Sequence, residues 1–268
     1  FFYDLAKDVT CDLVISRSHI RLTYLIEGVF GDKYMDAALA ISQESGESDE
    51  FFDFVEFIEM ECPSILESDQ FSFDITFPQL INIINLMEDK NVQMHYDCEN
   101  QTICWNQMKI DNIVDYTLKM SLVLASPREI DAPVHPPYNA QILLPSLRKI
   151  IPFVDFMGYA DKTKIVLSAN NQGVFKLSSC RSGMNITFVN CKNIPVNEEY
   201  ILGGDPTKFA TVILDRKLFF EFLRSKGLDW DANDAITCKI ADQRGILFEG
   251  DNGPISFTYV MPLMIPSS

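Results

Sequence analysis

Residues 141–179, QILLPSLRKIIPFVDFMGYADKTKIVLSANNQGVFKLSS, read as a strand, a helix and a β-hairpin in succession. Ile142, Leu143 and Leu144 form a short apolar strand, and Pro145 stands where its fixed φ suits a first helical residue. Leu147, Ile150, Ile151, Val154 and Met157 recur on one helical face, which predicts a helix packed onto a sheet. Gly158 closes that pattern. Residues 163–169 predict a strand, Asn170-Asn171-Gln172-Gly173 has turn chemistry, and 174–177 predicts the antiparallel return. Pro152 conflicts locally, because it lacks the N–H of a helical hydrogen bond and so predicts a kink or an early stop.

The same grammar recurs along the chain. Residues 71–109 give the strand FSFDI, a helix from Pro78 with Leu80, Ile84 and Met87 inward, and strands from Val92 and Thr102 around the turn Glu99-Asn100-Gln101. Residues 209–248 give the strand FATVIL, Asp215 as N-cap, and a helix with Leu218, Phe219, Phe222 and Leu223 inward. Gly227 is its C-terminal stop, and strands follow around Asp242-Gln243-Arg244-Gly245. Residues 1–26 read as the same unit without its start: a helix remnant to Lys7 and two strands around Arg17-Ser18-His19. The helix starts at Pro78, Pro145 and Asp215 lie 67 and 70 residues apart. That exceeds the period of about 20–50 residues of a solenoid and predicts duplicated half-domains instead.

At 268 residues and 47% hydrophobic, the chain can bury one large core or two of ordinary domain size. It contains no apolar run of about 18 residues, and its first residues show neither the basic start nor the apolar segment of a secretory signal. Seven scattered cysteines without a C-x-x-C pair predict free thiols in a reducing compartment, Cys98 and Cys104 beside a turn included. Four prolines within 126–138, SPREIDAPVHPPY, oppose both helix and paired strand and mark an interdomain connector. The net charge of −16 is uneven, since residues 1–136 hold 25 acidic and 8 basic side chains and the remainder 13 and 14. Much of the acidity lies in 44–69, interleaved with Phe51, Phe52, Phe54 and Phe57; this reads as a solvated loop leading into a strand, or as an acidic partner surface.

Signs of catalysis are few. His19, His95 and His135 fall in a turn, a strand and the connector, without an acid or nucleophile at a telling spacing, so neither a triad nor a metal site is expected. No phosphate-cradling glycine loop or dinucleotide fingerprint occurs. Residues 229–234 imitate the start of a calcium loop, but Asp234 stands where glycine is needed and Ile240 where the bidentate Glu should be. What stands out is the polar side of the repeated helices, with Arg148 and Lys149 in the third unit and Arg216, Lys217, Arg224 and Lys226 in the fourth. Such residues can simply solubilise a helix; recurring at one place in an acidic chain, they also suit phosphates, which need only cations held at intervals. The earlier helices offer only Lys7 and Lys90, so a phosphate-facing surface should be lopsided.

In their order and spacing these units resemble the sliding DNA clamps of the PCNA class, and within it the Hus-type subunit of the heterotrimeric nine-one-one (9-1-1) checkpoint clamp. The residues that carry the resemblance are ILLPSLRKI, the hairpin KIVLSANNQGVFKL followed by MNITFV, the helix LDRKLFFEFL and the closing strand SFTYVMPLMIP. The likeness is plainest from Asn139 onward and looser over 51–131. It implies an α+β DNA-clamp fold with two similar domains, 1–125 and 139–268, joined by the connector 126–138, each with antiparallel sheets outside and two helices on the inner face.

By that resemblance the chain is a non-catalytic, nuclear ring subunit without a cofactor. Its partners would be two non-identical clamp subunits, double-stranded DNA, an ATP-driven clamp loader, and checkpoint and repair proteins. Lys7, Lys90, Arg148, Lys149, Arg216, Lys217 and Arg224 would face DNA. Subunits would meet through one edge formed by Thr117, Leu118, Lys119, Met120, Ser121, Leu122 and Val123, and another formed by Met184, Asn185, Ile186, Thr187, Phe188 and Val189. Ser126, Ile130, Met261, Leu263 and Ile265 lie where related clamps offer a groove to short peptides. Two other readings stand beside this one. A homotrimeric replication clamp would want basic residues on all four helices, and an enzyme on a duplicated α+β scaffold would want a pocket of converging titratable groups.

Overall fold

The structure is a computed structural model that describes residues 10–16, 19–28, 31–40, 70–76, 78–79, 92–97, 102–108, 114–120, 124–125, 130–159, 162–227, 235–253 and 255–264. The chain divides into two compact units. One holds Leu25–Ala37 and Asp131–Ser268, the other Ala6–Tyr24 and Ala38–Ile130. Sixteen strands are described, from β1 (Thr10–Ser16), β2 (His19–Ile26), β3 (Lys33–Ala40) and β4 (Gln70–Thr76) through β5 (Val92–Asp97), β6 (Thr102–Met108), β7 (Val114–Met120) and β8 (Leu124–Ala125). The rest of the order is β9 (Ala140–Leu143), α1 (Leu147–Met157), β10 (Lys164–Ala169), β11 (Phe175–Ser179), β12 (Asn185–Phe188), β13 (Ala210–Asp215), α2 (Arg216–Gly227), β14 (Ile236–Ala241), β15 (Gly245–Asp251) and β16 (Ile255–Val260). The mixture is α+β with antiparallel sheets, as the sequence predicts.

In the unit that holds α1 and α2, the third and fourth sequence repeats exchange their leading strands. β9, which opens the third, pairs with β14 of the fourth, Ile142 opposite Cys238. β13, which opens the fourth, pairs with β10 of the third, Val212 opposite Leu167. One sheet therefore runs β12-β11-β10-β13, and another runs from the first part of β3 through β16-β15-β14 to β9. Each helix closes over the sheets through one apolar face. Ile150, Val154 and Met157 of α1 and Phe219, Phe222 and Leu223 of α2 are fully buried. In the other unit β4 pairs with β1 (Phe73 opposite Leu13), so the second repeat's leading strand again joins the first repeat's hairpin. A separate three-stranded sheet there runs β5-β6-β7.

The ends of α2 follow the sequence. The Asp215 carboxylate accepts from the Leu218 backbone N–H at 2.8 Å, the expected N-cap bond, and the helix runs to Gly227. The start of α1 does not. Its first helical residue is Leu147, not Pro145, and Ser146 is the N-cap, with its carbonyl accepting from the N–H groups of Lys149 and Ile150. Nor does Pro152 break the helix, which continues to Met157. Pro152 and Arg148 are both exposed, so the carbonyl left without its i+4 donor lies on the side that water can satisfy. Of the predicted edge strand Thr117–Val123, the first four residues belong to β7 (Val114–Met120), and Leu124 beyond it belongs to β8. The inward residues Leu80, Ile84 and Met87, the acidic stretch, the calcium-like turn and Cys98 lie outside the described residues. The described cysteines that carry free thiols are Cys11, Cys180, Cys191 and Cys238.

Buried asparagines tie the turns of this unit together. The Asn170 carboxamide oxygen accepts from the N–H groups of Gln172 and Val174 at 3.1 and 3.0 Å, templating the hairpin turn that the sequence marks. Asn139 is central to the network. Its Nδ2 donates to the Tyr200 carbonyl at 2.6 Å, and its Oδ1 accepts from the Asp242 N–H at 2.8 Å. Asn171 Nδ2 donates in turn to the Asn139 carbonyl at 2.8 Å. Asn139→Ala removes two of these bonds and strands their backbone partners, which should cost about 2–3 kcal/mol. A fall in the urea midpoint at constant slope is the expected result, and an unchanged midpoint would refute it.

Candidate nucleic-acid interface

α1 places what the core does not use on its other side. With Ile150, Val154 and Met157 turned inward, Arg148, Lys149, Pro152, Asp155, Phe156 and Tyr159 are exposed. α2 does the same: Lys217 and Arg224, seven residues apart and so on one face, are exposed while Phe219, Phe222 and Leu223 are buried. The helices pack against each other, bringing the two sets together on one side of the unit. Lys217 Nζ, itself well exposed, lies 3.7 Å from Oε1 of the half-buried Glu221 in an i,i+4 pair, which does little to immobilise it. The Arg224 guanidinium stands 5.8 Å from the centre of the Phe220 ring, which steadies the cation without neutralising it. Four exposed cations thus stand with only Asp155 and Glu221 as anions on the same helices.

Arg216 has a different task. Its Nη1 donates to the Val154 carbonyl and its Nε to the Lys162 carbonyl, both at 3.3 Å, while its backbone N–H donates to the Thr163 carbonyl at 2.9 Å. The guanidinium therefore caps the C-terminal end of α1, where the helix dipole favours a cation. This explains Gly158. Its φ of −59° is ordinary right-handed backbone, but a Cβ there would meet the Arg216 guanidinium at 2.9 Å. A side chain at 158 would displace that guanidinium from the end of the helix, so the glycine serves the Arg216 cap and not a left-handed turn. Arg216→Ala should lower stability by about 1–2 kcal/mol, because the capped carbonyls lose a charged donor. Lys217→Ala should stay within about 0.5 kcal/mol. Equal thermal midpoints for the two variants would contradict this assignment.

Of the other residues singled out in the sequence, Lys7, Lys90, Ser121, Leu122, Val123, Ser126 and Ile265 lie outside the described residues. Thr117, Leu118, Lys119 and Met120 belong to β7, which among the described residues is the last strand of its sheet and pairs with β6. Asn185, Ile186, Thr187 and Phe188 form β12, which is last in its sheet beyond β11. Met184 and Val189 flank it, and Val189 is exposed. Met261 is 1% exposed, a core side chain just after β16. Leu263 is held to Leu214 by a backbone bridge, and Ile130 is half-buried.

The end of the connector, Pro136 to Tyr138, lies beside β14 and β15, where Lys239 and Glu249 stand. Lys239 pairs with Glu249 at 2.6 Å and stands 5.9 Å from the Tyr138 ring centre. Burial holds the Tyr138 phenol above, and the His135 imidazole below, their ordinary pKa values, so both are neutral at pH 7. Among the described residues no group of three metal-binding side chains converges, and no helix is long and apolar enough to cross a membrane.

Sequence reasoning missed the exposed aromatic pair Phe156 and Tyr159. They continue the outward stripe of Arg148, Pro152 and Asp155 at helical spacing, and that stripe was the available signal.

Neither a family model nor a curated protein sequence matches the chain. Solved structures do. PCNA from Thermococcus kodakaraensis superposes with a TM-score of 0.58 at 11% identity, over 97% of this chain and 92% of that one. A. fulgidus PCNA, in a structure with the C-terminal region of FEN-1 bound, gives 0.56 at 11% identity, over 97% and 91%. A structure of the PCNA2–PCNA3 complex from Sulfolobus tokodaii gives 0.56 at 9% identity, over 97% and 92%. The chain has the sliding-clamp fold. At this identity the likeness is one of fold alone. In that clamp fold the exposed faces of α1 and α2 carry the four cations Arg148, Lys149, Lys217 and Arg224.

Proposed function

We propose that this chain is a non-catalytic subunit of a ring-shaped clamp that encircles duplex DNA, and specifically the Hus-type subunit of a heterotrimeric checkpoint clamp. The observation that carries the reading is the set of exposed cations on the two packed helices of a clamp fold whose net charge is −16. A surface for phosphates must be built locally when the whole molecule repels them. The ring would close through β7 and β12, terminal strands whose outer hydrogen-bonding groups suit β-augmentation by neighbouring subunits. The scarcity of basic residues in the first half favours unlike neighbours that supply the missing charge, and the Sulfolobus tokodaii structure joins two different clamp chains. An ATP-driven loader would place the ring at damaged or recessed DNA in the nucleus, where it would recruit checkpoint and repair proteins.

The mass of the purified chain, alone and after capture from its native extract, tests the proposal. A monomer that returns with two unlike proteins of similar size is expected. A stable trimer of this chain would favour a replication clamp, and a monomer in both tests would reject the ring.

A further inference from the structure

Phe156 and Tyr159 are 58% and 86% exposed, and their ring centres lie 6.3 Å apart with planes inclined at 54°. Among the described residues they are the one pair of exposed aromatic side chains in ring contact. The other strongly exposed apolar side chains, such as Val134 and Val189, stand on other segments. Neither ring is needed by the core, which α1 reaches through Ile150, Val154 and Met157. Their mutual tilt leaves flat faces uncovered.

The surroundings of the pair are cationic. Arg148 and Lys149 precede Phe156 by two helical turns on the exposed side, about 10–12 Å along the axis. The Arg216 guanidinium is fixed at the end of α1 beside Gly158, between the two rings in sequence. Asp155 is the only acid among the exposed residues of this helix. Aromatic faces next to cations held at intervals are the two components of a single-strand binding surface: the cations take phosphates, and each ring offers a stacking face to a base of any identity. A paired duplex keeps its base faces covered, so the rings can engage only bases outside the stack.

We infer that Phe156 and Tyr159 form a stacking site for unpaired bases where double-stranded DNA gives way to single-stranded DNA. The inference rests on the reading that the faces of α1 and α2 meet DNA, and it adds to that reading the two side chains that would contact unpaired bases. The cations hold either form of DNA, while the rings distinguish them.

The test is fluorescence anisotropy of the full chain at low ionic strength with two probes, a blunt duplex and the same duplex carrying an oligo-dT extension. The F156A/Y159A double variant should bind the extended probe roughly tenfold more weakly and the blunt probe unchanged, with the salt slope preserved on both. The F156Y/Y159F variant, which keeps both rings, should behave as the parent. In addition, 5-iodouracil placed in the extension should photocrosslink to the peptide that contains Phe156 and Tyr159. Equal losses on both probes, or no loss on the extended one, would overturn the stacking site while leaving duplex binding intact. Failure of the parent chain to bind either probe would overturn the DNA-facing reading and the stacking site with it.

Discussion

Replacing Arg148, Lys149 and Arg224 together by glutamate is expected to weaken retention on DNA by roughly 3- to 150-fold without unfolding the chain. Each side chain is exposed, and its removal takes nothing from the apolar faces that hold α1 and α2. An exposed ion pair is worth about 0.2–1 kcal/mol, so removing three cation–phosphate pairs amounts to about 0.6–3 kcal/mol before repulsion by the new carboxylates is added. The salt dependence is the sharper readout. Each phosphate that is no longer neutralised should reduce the slope of log K against log salt by about 0.9, or by about 2.7 for all three. Arg216 is left out because its guanidinium is committed to the carbonyls of Val154 and Lys162, and changing it would confound binding with stability. Unchanged slope and affinity in the triple variant would remove these residues from the DNA surface.

Phe222→Ala is expected to be the most damaging single truncation in the described core, at about 3–5 kcal/mol. Phe222 is fully buried where α2 meets the sheet. Its ring lies 4.6 Å from that of Phe248, 5.2 Å from that of Tyr259 at an inclination of only 11°, and 6.2 Å from that of Phe257 edge-on. Removing it leaves a cavity that three rings on two strands cannot fill without moving, and it also deletes the favourable ring geometries themselves. Phe222→Leu keeps much of the volume and should cost less. Urea unfolding followed by far-ultraviolet circular dichroism measures both, and similar midpoints for parent and alanine variant would show that the ring cluster does not hold α2.

Much of the local structure was legible because short-range physics decides it. The Asp215 cap, the inward stripe of Phe219, Phe222 and Leu223, and the turn templated by Asn170 each depend on residues a few positions apart. The exposed cations Arg148, Lys149, Lys217 and Arg224 were legible for the same reason, since helical period alone turns them away from the core. Where local rules conflicted, they ranked the alternatives wrongly. Proline at 145 suited a first helical position, yet Ser146 and its carbonyl set the start of α1. Proline at 152 should have stopped the helix, but the packing of Ile150, Val154 and Met157 against the sheet outweighs one missing hydrogen bond on an exposed side.

Arg216 and Gly158 lay beyond any local reading. The bond that brings the Arg216 guanidinium beside Gly158 ends on the Val154 carbonyl and spans 62 residues, from the start of α2 to the last turn of α1. A cation on a polar stripe and a glycine after a helix each have an ordinary local explanation, and only the meeting of the two helices replaces it.

By itself, the sequence determined the repeated unit of strand, helix and hairpin, the inward face of each helix and the uneven distribution of charge, because residue period, turn chemistry and ionisation are properties of short segments. Only the tertiary structure decided that leading strands are exchanged, β9 to β14 and β13 to β10. Backbone donors and acceptors are alike in every strand, so pairing is chosen by which arrangement buries the apolar faces of both helices at once, and that choice sets α1 and α2 side by side with their cations on one surface.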